Sequence, residues 1–194
     1  MKCNHKVIGA VLASVWLTGC SGAKNTDNNE VANTCPLPTT FQWQASTALV
    51  SPNEGIFGIK DPSVVYYDDE YHIWATINDG SWKSVYFHFA DWQSAAEAVQ
   101  QPMNGTLVGN TVAPQVFYYR PHNLWYNFTQ WGRGYATTRD ITDINSWTPR
   151  KDFLQEGPPI EKGKPELDYW VICDDVNCHL FFSRDDGVLY KSKT

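Results

Sequence analysis

An all-β fold assembled from a repeated antiparallel unit is what this sequence predicts, on three observations. Short runs rich in β-branched and aromatic residues recur between polar or glycine-bearing turns. A hairpin with a third strand starts at Asp61, returns at Ala113 and returns again at Asp168. The starts lie 52 and 55 residues apart, a period that suits the blades of a β-propeller. A β-sandwich also uses many short strands, but it does not predict a repeated three-strand unit.

In the first unit, Val64 to Tyr67 and Tyr71 to Ala75 are the two arms of a hairpin, and Asp68-Asp69-Glu70 is its polar tip. Val85 to Phe89 supplies the third strand. The second unit has its hairpin from Ala113 to Tyr126 and its third strand from Tyr135 to Thr138. The third runs Tyr169 to Cys173, then Cys178 to Phe182, then Val188 to Lys191. Trp92 and Trp147 follow the first two units in more polar stretches, where an edge strand is expected to begin or to be approached. Innermost strands of a propeller start near the central axis. Asp61, Ala113 and Asp168 are therefore expected to converge, although Asp61 and Asp168 are 107 residues apart in the chain. Three blades leave raw sheet edges and do not close a ring. The sequence is accordingly expected to lack further blades, two of which would take about 100 residues at this period.

The N-terminus reads as an address. Lys2 and Lys6 precede an apolar run from Val7 to Leu17 that is short for a bilayer span, and Leu17-Thr18-Gly19-Cys20 follows it. The pattern is similar to a bacterial lipobox, with Cys20 as the lipidation site. An ordinary secretory signal with an incidental cysteine is the alternative. Residues 1–20 are thus expected to be a lipoprotein signal peptide, 21–34 a flexible polar tether and 35–194 a partial propeller domain. Ser21 after the cysteine leans towards sorting to the outer membrane of a bacterial envelope, by analogy with such lipoproteins. Cys35, Cys173 and Cys178 remain for an oxidising compartment. Cys173 and Cys178 flank a plausible hairpin tip and could pair across it. Cys35 is either free or lacks its partner in this chain.

Formal net charge is −6, and loss of Lys2 and Lys6 takes it to −8. No basic stripe is present, which argues against nucleic acid as a partner. Nine Trp and ten Tyr, with modest charge, suit stacking on the C–H faces of sugars, although β-strands use aromatics for packing as well. Two carboxylates brought to one pocket suit glycoside hydrolysis. An inverting enzyme needs one as base for the attacking water and a protonated acid at the leaving oxygen, and a third can raise the acid's pKa by like-charge repulsion. An Asp before a strand is also a common turn or cap residue.

Several separated motifs come in a characteristic order: Cys35 to Trp43, Ile59-Lys60-Asp61, Thr111 to Tyr119, Tyr126 to Gly132, Leu167-Asp168 and Leu180 to Tyr190. Together they resemble glycoside hydrolase family 62, the α-L-arabinofuranosidases. The related family 43 fits the Ala-Pro and Gln-Trp-Gly segments less well. The resemblance implies a five-bladed propeller, of which about three blades are present, and inverting hydrolysis of arabinose linked α to arabinoxylan or arabinan. By it Asp61 matches the general base, and Asp168 matches the aspartate that tunes the acid and contacts the sugar. Lys60 is expected to bond a sugar hydroxyl, and Gln130 and Trp131 to line the pocket, Trp131 as the sugar platform.

The family's general acid is a Glu at the start of the next blade. Glu161 and Glu166 precede Asp168 and are not substitutes, so the 194-residue chain alone is expected to have little activity. No cofactor is required. Calcium near the axis is implied by the resemblance, yet His72, His88, His122 and His179 show no ligand spacing. Asn78-Asp79-Gly80 is expected to be a plain turn rather than a pocket loop. The charged loop before Asp168 and the Tyr169-Trp170 pair after it depart from the family's usual residues, which bears on substrate preference. The rival functions are a non-catalytic carbohydrate-binding surface lipoprotein or inactive fragment, and an interaction scaffold.

Overall fold

The computed structural model describes residues 39–40, 42–131, 133–153, 166–185 and 187–194. Two units are distinguished, residues 1–45 and residues 46–194. The described part of the first carries no strand. The expected signal peptide, the tether, Cys20 and Cys35 lie outside the described residues.

Residues 46–194 form three successive antiparallel sheets. The first contains β1 (Gly58–Tyr67), β2 (Glu70–Asn78), β3 (Trp82–Phe89) and β4 (Gln101–Pro102) in that spatial order. The second contains β5 (Val112–Tyr119), β6 (Leu124–Gln130), β7 (Gly134–Thr138) and β8 (Lys151–Asp152). The third contains β9 (Glu166–Cys173), β10 (Cys178–Arg184) and β11 (Leu189–Lys193). Neighbours in sequence are neighbours in space, as in a meander. Among the described residues there is no α-helix, only single 3₁₀ turns at Ala95–Glu97 and Arg120–His122. The repeat read from the sequence is therefore a repeat of sheets. Trp92 and Trp147 precede the edge strands β4 and β8, one of the two placements expected.

Turn chemistry fixes the registers. Asp68 and Asp69 both adopt left-handed φ, 51° and 62°, between the paired Tyr67 and Glu70. That is the two-residue hairpin whose twist matches its strands, and Asp is among the residues that tolerate it. At the β9–β10 tip Cys173 pairs with Cys178 both in the ladder and as a disulfide. The linkage closes only a short loop, so its stabilisation is modest.

The main core lies between the first two sheets. Trp74 and Tyr86 from the first meet Val116, Trp125 and Ala136 from the second, with Met103, Val108, Ile141 and Trp147 from the connections. Trp74 is completely buried, with its ring 5.0 Å from Tyr86 and edge-on to Trp147 at 6.2 Å. Burial of one such side chain contributes on the order of 1.5–3 kcal/mol. The Trp147 expected near an edge strand is thus a core residue. His72 is buried beside this core, bonded to the Tyr86 hydroxyl (2.8 Å) and the Tyr67 carbonyl (3.1 Å), and burial lowers its pKa.

Candidate active site

The same local distortion opens each innermost strand. In β1, Lys60 pairs with Thr76 and Ser63 with Trp74, so Asp61 and Pro62 together oppose Ala75. In β5, Val112 pairs with Gln130 and Gln115 with Phe128, so Ala113 and Pro114 oppose Thr129. In β9, Leu167 pairs with Ser183 and Trp170 with Phe181, so Asp168 and Tyr169 oppose Phe182. These are β-bulges, and the first residue of each is left-handed: φ is 54° at Asp61, 46° at Ala113 and 56° at Asp168. An L-residue adopts that conformation at a cost of roughly 1–2 kcal/mol, least for Asp and Asn. Glycine usually fills such a bulge. Strain kept at one position in three sheets, with a carboxylate at two of them, points to function.

Ala113 isolates the backbone term, since its methyl group offers no hydrogen bond in return. Ala113→Gly is expected to stabilise the fold by about 1 kcal/mol. Chemical denaturation of both proteins checks this, and a loss of stability would contradict the assigned backbone.

Equivalent side chains tie the second and third bulges to the preceding sheet. Thr76 and Gln130 occupy matching positions, each paired with the residue before a bulge. The Ala113 N–H donates to Thr76 Oγ1 at 2.8 Å, and Gln130 Nε2 donates to Asp168 Oδ1 at 2.9 Å. Three residues further along, the Val116 N–H donates to Ser63 Oγ at 2.8 Å and the Val171 N–H donates to Gln115 Oε1 at 2.6 Å. Gln115 Nε2 returns a bond to the Val171 carbonyl at 2.9 Å. Ser63, Gln115, Thr76 and Gln130 are all buried. Their polar groups are thus satisfied by the next sheet, and the three bulges are held in one bonded series.

At the first bulge, Lys60 Nζ stands 3.5 Å from Asp61 Oδ2 and 4.7 Å from the centre of the Trp82 ring. The ring face attracts the ammonium and keeps it beside the carboxylate. Trp82 is 41% exposed. Sequence reasoning missed it, because nothing in the chain separates this tryptophan from those of the core. Asn78-Asp79-Gly80 is a self-contained turn, as expected. Asp79 accepts from Ser81 and from Lys83 Nζ, which holds its carboxyl below the ordinary range, and Gly80 takes φ 103°.

At the third bulge, Asp168 is exposed; besides Gln130 it accepts from Ser183 Oγ at 3.4 Å. Next to Gln130, Trp131 is 45% exposed and left-handed at φ 66°. It is not core packing. Arg150 Nη1 donates to its carbonyl at 2.9 Å. The Arg150 guanidinium lies against Gly134, where a Cβ would come within 2.6 Å of Nε, so a larger residue there would push the guanidinium aside.

Glu166, rejected from the sequence as a stand-in for the acid, is buried at the start of β9. It accepts from Arg133 Nε at 2.7 Å, Arg133 Nη2 at 2.6 Å and the Tyr169 hydroxyl at 2.9 Å. Burial, then the bond to Glu166, push the Tyr169 phenol well above its usual range, which keeps it a donor. Glu166 is tied by its neighbours rather than turned to a leaving group. Arg133 and Glu166 are the second omission, because their pairing is a tertiary contact between residues 33 apart.

The bulges bring Asp61 together with Lys60 and Asp168 together with Gln130, and Trp131 adjoins the latter pair. A groove of about 740 Å³ lined by Phe117, Tyr126, Phe128, Val171 and Leu180 holds none of these residues. Among the described residues no cluster of three or more His, Cys, Asp or Glu could hold a metal ion.

Comparison with known proteins places this geometry. The sequence profile of glycosyl hydrolase family 62 matches residues 42–194. Alpha-L-arabinofuranosidase C of Cellvibrio japonicus is 51% identical over 164 residues, covering 84% of this chain and 26% of that protein. The solved catalytic domain of a Coprinopsis cinerea family 62 α-L-arabinofuranosidase is 38% identical with a TM-score of 0.71, over 81% of this chain and 53% of that one. A Podospora anserina α-L-arabinofuranosidase, solved in complex with cellotriose, is 40% identical with a TM-score of 0.70, over 81% and 54%. The chain spans about half the length of these solved relatives and a smaller share of the Cellvibrio protein. On the profile match and these identities, with its bulged carboxylates in register, the chain belongs to glycosyl hydrolase family 62.

Proposed function

We propose that the protein is an α-L-arabinofuranosidase that removes arabinofuranosyl side chains from arabinoxylan or arabinan with inversion, on a five-bladed propeller. One observation carries this reading: two aspartates, Asp61 and Asp168, occupy the same left-handed bulge position in the two sheets that bond to the second sheet from either side. Asp61 is the base. It takes a proton from water as the water attacks the anomeric carbon, and the glycosidic bond breaks on the opposite face. Lys60 holds the Asp61 carboxylate and offers donors to a sugar hydroxyl. Asp168, oriented by Gln130 and Ser183, contacts the sugar and raises the pKa of the acid by like-charge repulsion. The acid is assigned to no residue of this chain. Trp131 stacks on the polysaccharide, in keeping with its exposed ring and with the oligosaccharide bound by the Podospora relative. A lipid at Cys20 anchors the enzyme to the outer membrane of a bacterial envelope. Neither a required cofactor nor nucleic acid enters the reading.

Digestion of arabinoxylan by the full-length protein is expected to release free arabinose and leave the xylan backbone at its original length. Shortened backbone without arabinose would overturn the substrate assignment. Binding with no product at all would favour a non-catalytic carbohydrate-binding protein.

A further inference from the structure

We propose that Glu166 and Arg133 are positioning residues that set the Trp131 platform relative to Asp168, and so determine affinity for the polysaccharide rather than the rate of bond cleavage. The inference rests on the functional reading above. Trp131 and Arg133 lie in the turn between β6 and β7, and both are left-handed, at φ 66° and 46°. Such a turn does not hold its shape on propensity alone. Two sets of contacts hold it. Arg150 donates to the carbonyls of Trp131 and Thr129, at 2.9 and 3.5 Å. Arg133 is gripped through two parallel bonds by Glu166, which sits on the neighbouring sheet two residues before Asp168.

A two-pronged arginine–carboxylate pair fixes orientation as well as distance. Glu166 is 7% exposed, and its Oε2 also accepts from the Tyr169 hydroxyl, so the carboxylate has little freedom to follow a moving loop. Asp168 and the grip on Arg133 thus share one strand start. Trp131 and Gln130, which bonds Asp168 directly, share the other side. The clamp closes a loop of contacts from Asp168 through Gln130, Trp131, Arg133 and Glu166 back to Asp168. None of its members other than Asp168 and Gln130 touches the carboxylate chemistry. Its effect falls on Trp131, whose ring is exposed.

The test is a double-mutant cycle in the full-length protein, with arabinoxylan as substrate. Glu166→Gln keeps size and one hydrogen bond but removes the charge that grips Arg133. KM is expected to rise about tenfold, the equivalent of one lost stacking contact, with a much smaller change in kcat. In a Trp131→Ala background the same substitution is expected to leave KM where Trp131→Ala alone puts it, because the platform is already gone. Arg133→Lys, which retains the charge but not the fork, is expected to act in the same direction and serves if Glu166→Gln does not fold. A KM rise of equal size in both backgrounds, a matched fall in kcat, or wild-type kinetics would each overturn the clamp. Wild-type protein that releases no arabinose would instead overturn the functional reading, and the clamp with it.

Discussion

Asp61→Ala is expected to abolish arabinose release and leave the fold intact. Removal of a positioned base costs typically on the order of 10²–10⁴ in rate. The structural cost is small for two reasons. Ala113 already occupies the equivalent bulge with φ 46° against 54° at Asp61, so alanine fits this backbone. The Lys60–Asp61 pair that would be lost is largely solvent-exposed, with side-chain exposures of 56% and 35%, and pairs of that kind contribute at most about 1 kcal/mol. Initial rates on arabinoxylan and a denaturation curve, taken on the same preparation, separate the two effects. Near wild-type turnover would remove Asp61 from the role of base.

The largest expected effect on stability falls on Trp74→Ala. Trp74 is wholly buried where the first sheet meets the second, against Tyr86 and Trp147. A truncation of that size in a core typically costs about 3–5 kcal/mol, because the surrounding rings collapse only in part. It would also loosen the contact across which Thr76 and Ser63 bond the second sheet. Urea denaturation measures the loss directly. A cost below about 1 kcal/mol would mean that the two sheets do not share the core described, since exposed sites show effects of that size.

Much of this was legible in the chain because it repeats. The hairpin at Asp61 and its two echoes carry the β-branched and aromatic alternation that only strands need, and their spacing places Asp61, Ala113 and Asp168 at matching points before any coordinate is known. The Cys173–Cys178 pairing follows from the same hairpin logic. What escaped was set by register and tertiary packing. No pattern of residue types reveals that Asp61, Ala113 and Asp168 are left-handed, because Asp and Ala are ordinary strand-flanking residues. Trp82 beside Lys60, Trp147 in the core and Trp131 at the surface are indistinguishable as letters. Their roles depend on which face of which strand each occupies. Glu166 was seen as unsuited to be the acid, but its grip on Arg133 depends on a contact between residues 33 apart.

The central claim is that a bulge-borne Asp61 activates water against an arabinofuranosyl group. The most direct test is to follow the arabinoxylan digestion by proton NMR from the first turnovers, with the full-length protein in excess over the rate of mutarotation. The account predicts that β-arabinofuranose is the first anomer seen and that the α form grows in only as the sugar equilibrates, because one displacement on water inverts the centre. Release of the α anomer first would require a covalent intermediate on the enzyme, and would contradict Asp61 as a base acting through water.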